Sequence, residues 1–274
     1  MKKVLLLIFA VMMLVSDASN TYAQKSDKEW QLVFSDEFNQ KNGSMPNPDY
    51  WSCSRRGTST WNRWISKDPS VAFIRKGKLV CRAIRNTVNP ADTALMLTGA
   101  VETRGKYSFQ YGRIEVRAKT NLHPCNFPAI WLMPEPPAPK HPYGGEIDIF
   151  ESYGTKKAAH QTVHSHWTLN LKHNTNPKNT VKKTDFDISK WHVYGLEWMP
   201  DRLIFMIDGK VTYVYKKSES ADALANQQWP FDHPFYIILN QSLRRTDRDL
   251  GSPPDQDYIY ETQFDWVRVY QKKK

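Results

Sequence analysis

Apolar and polar residues alternate with a period of two through much of this chain, which predicts strands rather than helices. Residues 113–119, Arg-Ile-Glu-Val-Arg-Ala-Lys, alternate charged and apolar positions without a break. That is the pattern of an antiparallel strand with one face in a core and the other in water. Residues 71–75 and 78–84 flank Lys76-Gly77, and residues 203–208 and 211–216 meet at Asp208-Gly209; both read as hairpins from their turn chemistry. Further strands are expected over 30–38, 128–133, 161–167, 191–198, 235–240 and 262–271, with residues 218–228 as the one helix candidate. Short strands separated by turns predict an all-β sandwich of two sheets.

One segment breaks the ordinary pattern. Gly144-Gly145-Glu146-Ile147-Asp148-Ile149-Phe150-Glu151-Ser152-Tyr153-Gly154 places three carboxylates among strong strand formers. Glu146 and Asp148 share a face by alternation, and Ile147 points into a core. Strict alternation would turn Glu151 inward, where an unpaired carboxylate is costly. A β-bulge at Ile149-Phe150 removes that conflict by resetting the alternation, so all three acids are expected on one face. An exposed edge strand also carries charges, but Ile147, Ile149 and Phe150 call for a buried central strand. Crowded like charges point to chemistry. A retaining glycosidase uses an ionised and a protonated carboxyl about 5 to 5.5 Å apart across one sugar linkage. On a straight strand the two glutamates would stand roughly 13 Å apart at Cα, so the strand is expected to bow inward.

The sequence Glu-x-Asp-x-x-Glu after glycine resembles the bulged signature of family 16 glycoside hydrolases, the form carried by laminarinases, agarases, carrageenases and endo-galactosidases. The resemblance extends over most of the chain. It includes Phe34-Ser35-Asp36-Glu37-Phe38, Tyr111-Gly112-Arg113-Ile114-Glu115-Val116-Arg117, Phe127-Pro128-Ala129-Ile130-Trp131-Leu132, Trp191-His192-Val193-Tyr194, Pro234-Phe235-Tyr236-Ile237-Ile238-Leu239-Asn240 and Asp265-Trp266-Val267-Arg268-Val269-Tyr270. It implies a β-jelly roll whose concave sheet lines an open cleft. It further implies Glu146 as nucleophile, Glu151 as acid/base and Asp148 as the residue that orients the nucleophile. Trp131 and Asn240 fall at substrate-contact positions, and Phe127 stands where relatives commonly carry Trp. Glu37 and Asp265 match positions that hold a structural Ca²⁺ in many relatives; no cofactor is required for the reaction. Arg244-Arg245 and Arg248 depart from the family's usual Gly-rich segment, a change that would reshape the cleft or add affinity for an anionic sugar.

Outside the resemblance, Trp61-Asn62-Arg63-Trp64 sits in a polar loop and supplies outer-subsite candidates, with one ring as suited to capping the sandwich. His164 can hydrogen-bond an acid or a sugar hydroxyl, or simply pack. The prolines at 134, 136, 137, 139 and 142 cannot join a ladder, so that loop is a stiff excursion placed to wall one end of the cleft.

Composition narrows the partners. The formal charge is +10, and +9 on residues 24–274, yet the basic residues are scattered and their few clusters carry no aromatic interleaving. That argues against nucleic acid and for a polysaccharide or glycan, including an acidic one. Lys2-Lys3, the apolar run 4–15 and Thr21-Tyr22-Ala23 read as a signal peptide over 1–23, with a single catalytic domain over 24–274. The run is too short for a permanent membrane helix, and no cysteine marks a lipid anchor, so a secreted or periplasmic monomer is expected. Cys53, Cys81 and Cys125 allow at most one disulfide. The expected function is retaining endo-hydrolysis of β-1,3 or mixed β-1,3/1,4 glucan. The alternatives are a β-1,4-galactan or mucin-type or sulfated glycan as substrate, and a jelly-roll lectin that binds without cutting. Sugar-to-sugar transfer stays open.

Overall fold

The computed structural model describes residues 29–87, 90–185, 187–247 and 250–273. The expected signal peptide and Arg248 lie outside the described residues. In chain order the strands are β1 Trp30–Asp36, β2 Ser52–Cys53, β3 Ala72–Ile74, β4 Leu79–Arg85, β5 Met96–Glu102, β6 Ser108–Phe109, β7 Gly112–Thr120 and β8 Asn126–Pro134. They continue with β9 Glu146–Glu151, β10 Ala159–His164, β11 Thr180–Lys183, β12 His192–Trp198, β13 Arg202–Ile207, β14 Lys210–Lys216, β15 Phe235–Leu243 and β16 Tyr260–Lys272. Hydrogen-bonded neighbours follow the order β11-β10-β9-β8-β15-β5-β4-β16-β7-β12-β13-β14, and every pairing between them is antiparallel. The sheet curls into a nearly closed sandwich, as the alternating pattern predicts, in the jelly-roll form that the resemblance implies.

One core fills the space between the front run (β11 to β5) and the back run (β4 to β14). Ile130, Leu132, Ile147, Phe150, Ile237 and Leu239 meet Ile114, Val116, Leu196, Phe205, Val267 and Val269 there. Phe150 of β9 and Tyr194 of β12 lie ring to ring, with centroids 4.2 Å apart. Burial of each such side chain contributes roughly 1.5–3 kcal/mol, which fixes register because a one-residue slip would turn the apolar set outward.

Strand β5 has no counterpart in the alternation reading. All seven of its residues are buried, so covering on both faces leaves no period-two signal. Its Gly99 allows close approach: a Cβ there would lie 1.9 Å from the Val71 carbonyl oxygen. The strand expected over 161–167 ends at His164 instead. Ser165 caps a short π-helical turn, His166–Asn170, and diverts the chain from the sheet. The helix expected over 218–228 is only α1, Ala221–Ala225. Cys53, Cys81 and Cys125 are all free thiols. No helix among the described residues is long and apolar enough to cross a membrane.

Candidate active site

The acidic segment forms β9, in the middle of the front run between β8 and β10. On the β8 side Trp131 faces Asp148 and Ile130 faces Phe150, so Ile149 is the extra residue of a bulge. The β10 register shifts at the same point, with Thr162 opposite Asp148 and His160 opposite Glu151. The bulge lets Ile147, Ile149 and Phe150 all enter the core. It also turns Glu146, Asp148 and Glu151 to the opposite face. Gly145, at φ +84°, starts the strand where a Cβ would strike the Phe231 ring and Pro230.

The three acids differ in their surroundings. His141 Nε2 donates to Glu146 Oε2 at 2.8 Å. Burial pushes the Glu146 carboxyl up, but the His141 hydrogen bond, the charges of His164 and His141, and a hydrogen bond from Asp148 outweigh it and hold the group below the usual carboxylate range. Burial and the neighbouring Glu146 charge hold Asp148 well above its ordinary range, so it carries the proton shared with Glu146. Glu151 is also held well above, first by burial and further by its acidic neighbours Asp148 and Glu146, against the opposing hydrogen bond from Tyr153. The Tyr153 hydroxyl donates to Glu151 Oε2 at 2.8 Å. Among the described residues none of the three acids is paired with lysine or arginine. The surroundings favour the ionised form at Glu146 and the neutral form at Glu151 on the same short strand, with the neutral form also favoured at Asp148 between them.

His164 joins this group. It lies opposite Glu146 in register, and its Nε2 is 3.3 Å from Asp148 Oδ2. Glu146, Asp148 and His164 offer ligand atoms within 4.8 Å of one another, the one such cluster among the described residues. His160 lies instead edge-on to Tyr153, and His166 stacks on Tyr143 at 4.4 Å. That second stack ties the proline-rich loop to the π-helical turn and helps fix His141.

Trp131 comes to the site, facing Asp148 across the β8–β9 ladder. Its ring is only 5% exposed, because Trp61 packs edge-on at 4.8 Å. Asn240, expected to touch substrate, is 1% exposed. Its Oδ1 accepts from Trp131 Nε1 at 2.8 Å and its amide donates to Ser242 Oγ at 2.9 Å. Asn240 therefore orients Trp131 rather than presenting itself to a sugar. Of the loop Trp61-Asn62-Arg63-Trp64, only Trp61 reaches the tryptophan cluster. Asn62 accepts from the Ser59 backbone N–H at 3.1 Å, bracing its own loop. Arg63 donates to Thr60, and Trp64 packs against a separate small core of Ala83, Met96, Leu243 and Tyr260.

Glu37 and Asp265, expected to hold calcium, are engaged by cations. Arg268 grips Glu37 with two hydrogen bonds of 2.8 and 3.0 Å. Asp265 faces Arg117 and, at 3.2 Å, Lys78. Carboxylates already matched by guanidinium and ammonium groups do not form the oxygen-rich cage a calcium ion takes. Two residues of the site carry no sequence assignment: His141, whose only signal is its place in the proline-rich loop, and Tyr153, two positions beyond Glu151.

The sequence profile of glycosyl hydrolases family 16 matches residues 74–266. The chain is 33% identical over 248 residues to a keratan-sulfate endo-1,4-beta-galactosidase of Sphingobacterium multivorum, covering 88% of this chain and 55% of that protein. It thus spans about half the length of that relative. It is 29% identical to a beta-glucanase of Rhodothermus marinus over 266 residues, 90% and 88% of the two chains. Among solved structures it resembles a non-specific endo-beta-1,3(4)-glucanase, with a TM-score of 0.76 at 26% identity over 89% and 92% of the two chains. It also resembles a chain from work on endo-acting O-glycanases with which human gut microbiota initiate mucin breakdown, with a TM-score of 0.74 at 31% identity over 87% and 98%. A bulged acidic strand, a jelly roll and a family profile that spans β4 to β16 converge on one assignment: the chain belongs to glycosyl hydrolases family 16.

Proposed function

We propose that this glycosyl hydrolase is a secreted retaining endo-β-glycosidase. The observation that carries the reading is the bulge that turns Glu146 and Glu151 of β9 to one face, where the surroundings lower the pKa of Glu146 and raise that of Glu151. In the first step the Glu146 carboxylate attacks the anomeric carbon while Glu151 gives its proton to the departing glycosidic oxygen. A covalent sugar ester forms, and the charge that opposed ionisation of Glu151 is lost. Glu151, now a carboxylate, takes a proton from water; that water attacks the anomeric carbon and releases Glu146. Asp148 donates its hydrogen bond to Glu146 throughout the ground state and so positions the nucleophile. The N-terminal segment 1–23 supports export.

For the substrate we favour a β-linked, galactose-containing glycan cut internally, with β-1,3 or mixed-linkage glucan as the second reading. Two similar proteins, at 33% and 31% identity, carry names of a galactosidase and of O-glycanases, while glucan-degrading relatives stand at 24–30%. The test is digestion of keratan sulfate, mucin glycans, agarose-type galactan, laminarin and barley glucan, with sizing of products and NMR of the first-formed anomer. Internal cuts that release the β-anomer are expected. Release of the α-anomer, or glycan binding with no cleavage of any polymer, would overturn the mechanism.

A further inference from the structure

Next to the acid, the front sheet holds a pocket that hydrolysis of a neutral linkage does not call for. It is lined by Tyr153, Gly154, Lys156, His160, Lys182, Arg244 and Asp247, with a volume of about 100 Å³. Pockets that enclose a whole drug-sized ligand begin at roughly 300 Å³, so this one suits a substituent rather than another sugar ring. Three permanent cations line it against one carboxylate. That carboxylate is turned to the backbone: Asp247 accepts from the N–H groups of Cys125, at 3.1 Å, and Leu250, at 2.8 Å.

The topology assembles the pocket from distant segments. Glu151, His160 and Lys182 form one row across β9, β10 and β11, each facing the next in register. Residues directly opposite on antiparallel strands share a face, so Lys182 lies on the catalytic side, two strand spacings or roughly 10 Å from Glu151 at Cα. Arg244 enters from the end of β15, with its guanidinium 5.3 Å from the centroid of the Tyr153 ring. Tyr153 is the same residue that donates to Glu151. The pocket wall and the acid are therefore joined through one side chain. Neither Lys182 nor Arg244 is ion-paired to a carboxylate among the described residues, in contrast to the arginines of the back sheet. Lys182 and Arg244, with no carboxylate partner among the described residues, repel each other and are stabilised by an anion that docks between them.

We propose that this pocket binds an anionic substituent, a sulfate ester or a sugar carboxylate, on the glycan beside the linkage being cut, so that the enzyme prefers charged over neutral stretches of its polymer. The proposal rests on the glycosidase reading for its placement at the cleaved bond. Guanidinium and ammonium donors make charge-assisted hydrogen bonds to such oxygens. For partly exposed donors we expect about a tenfold effect, the lower end of what a charged hydrogen bond contributes.

The experiment compares kcat/KM on keratan sulfate, its chemically desulfated counterpart and a sialylated mucin glycan, for the wild-type protein, Lys182→Gln and Arg244→Gln. The wild-type ratio of charged to uncharged substrate should fall by about tenfold in either variant, mainly through KM, and should fall in the wild type as salt rises. Whether the sulfated or the sialylated arm responds identifies the anion. A ratio that the variants leave unchanged, with both substrates losing equally, would overturn the pocket and leave Arg244 as a support for Tyr153. Calorimetric titration with sulfated and desulfated keratan oligosaccharides reads the pocket without turnover. A sulfate-dependent affinity lost in Lys182→Gln supports it even if no polymer is cut, whereas cleavage with no sulfate preference in either assay overturns the pocket and keeps the glycosidase.

Discussion

Two groups of carboxylates, one on the back sheet and one on β9 of the front sheet, are handled in opposite ways. On the back sheet four acids have cations: Glu37 with Arg268, Asp265 with Arg117 and Lys78, Glu115 with Arg113, and Glu261 with Arg75. On the front sheet Glu146, Asp148 and Glu151 have only histidines, a tyrosine and one another. Both arrangements come from period-two strands, so alternation alone does not separate them. The separation lies in the cross-strand partner. An arginine beside an acid matches its charge, which suits a surface. Acids set against one another in a partly buried strip cannot all ionise, and the neutral form that results is what proton donation requires.

Removing either glutamate should break the contrast most severely. Glu146→Ala is expected to lose on the order of 10⁴-fold or more in kcat while still binding glycan. Glu151→Gln should lose roughly 10²- to 10⁴-fold on natural linkages and far less on an aryl glycoside, whose leaving group departs without a proton. Equal losses on both substrate types would refute the acid role. Stability carries a second signature. Glu151 holds its proton to higher pH in the folded chain than in the unfolded one, so the folded state binds more protons and unfolding free energy declines as pH rises toward the folded pKa. Below the unfolded pKa both states are protonated and that contribution is fully present. Glu151→Gln should therefore flatten the fall of Tm as pH rises above the ordinary carboxylate range, and an unchanged slope would show that the carboxyl's pKa is not raised on folding.

The front-sheet acids were legible in the sequence because one conflict exposed them: alternation would have buried Glu151, and only a bulge at Ile149-Phe150 removed the clash. The sandwich was legible from hairpins such as 203–216, whose turn chemistry is local. What escaped depends on contacts far apart in the chain. β5 gave no alternation because both its faces are covered. Trp64 looks like Trp61 in sequence, yet one packs on Tyr260's cluster and the other on Trp131. Asn240 sits at a substrate-contact position in sequence, yet its amide is used beneath Trp131, by Trp131 Nε1, Ser242 and the Phe127 carbonyl. The pairing of Glu37 with Arg268 bridges two ends of the chain, and no local pattern announces it.

His141 tests the contrast at its finest point, since it is the partner that keeps Glu146 ionised where a back-sheet acid would use arginine. His141→Ala removes a hydrogen bond that lowers the Glu146 pKa. The nucleophile then takes up a proton at higher pH, so the acid limb of the kcat/KM profile should move upward while the alkaline limb, set by Glu151, stays in place. A loss of roughly tenfold is expected on the acid side of the optimum. A loss of equal size at every pH would mean that His141 only holds the loop in place.

The smallest effect belongs to the back sheet. Asp265→Asn removes a carboxylate from Arg117 and Lys78. All three side chains keep partial contact with water, at 19% exposure for Asp265, 36% for Arg117 and 31% for Lys78, so solvent screens the charges that are left. Pairs of this kind contribute roughly 0–1 kcal/mol, and denaturant titration of Asp265→Asn should show a change within that range. Activity on the preferred polymer should stay within twofold of the wild-type value, because the front-sheet acids do not depend on this charge. A loss of several kcal/mol that added calcium restored in the wild type but not in the variant would instead make Asp265 a metal ligand. The two faces would then differ in which cation they hold, and the rule that paired acids serve only the surface would fail at this position.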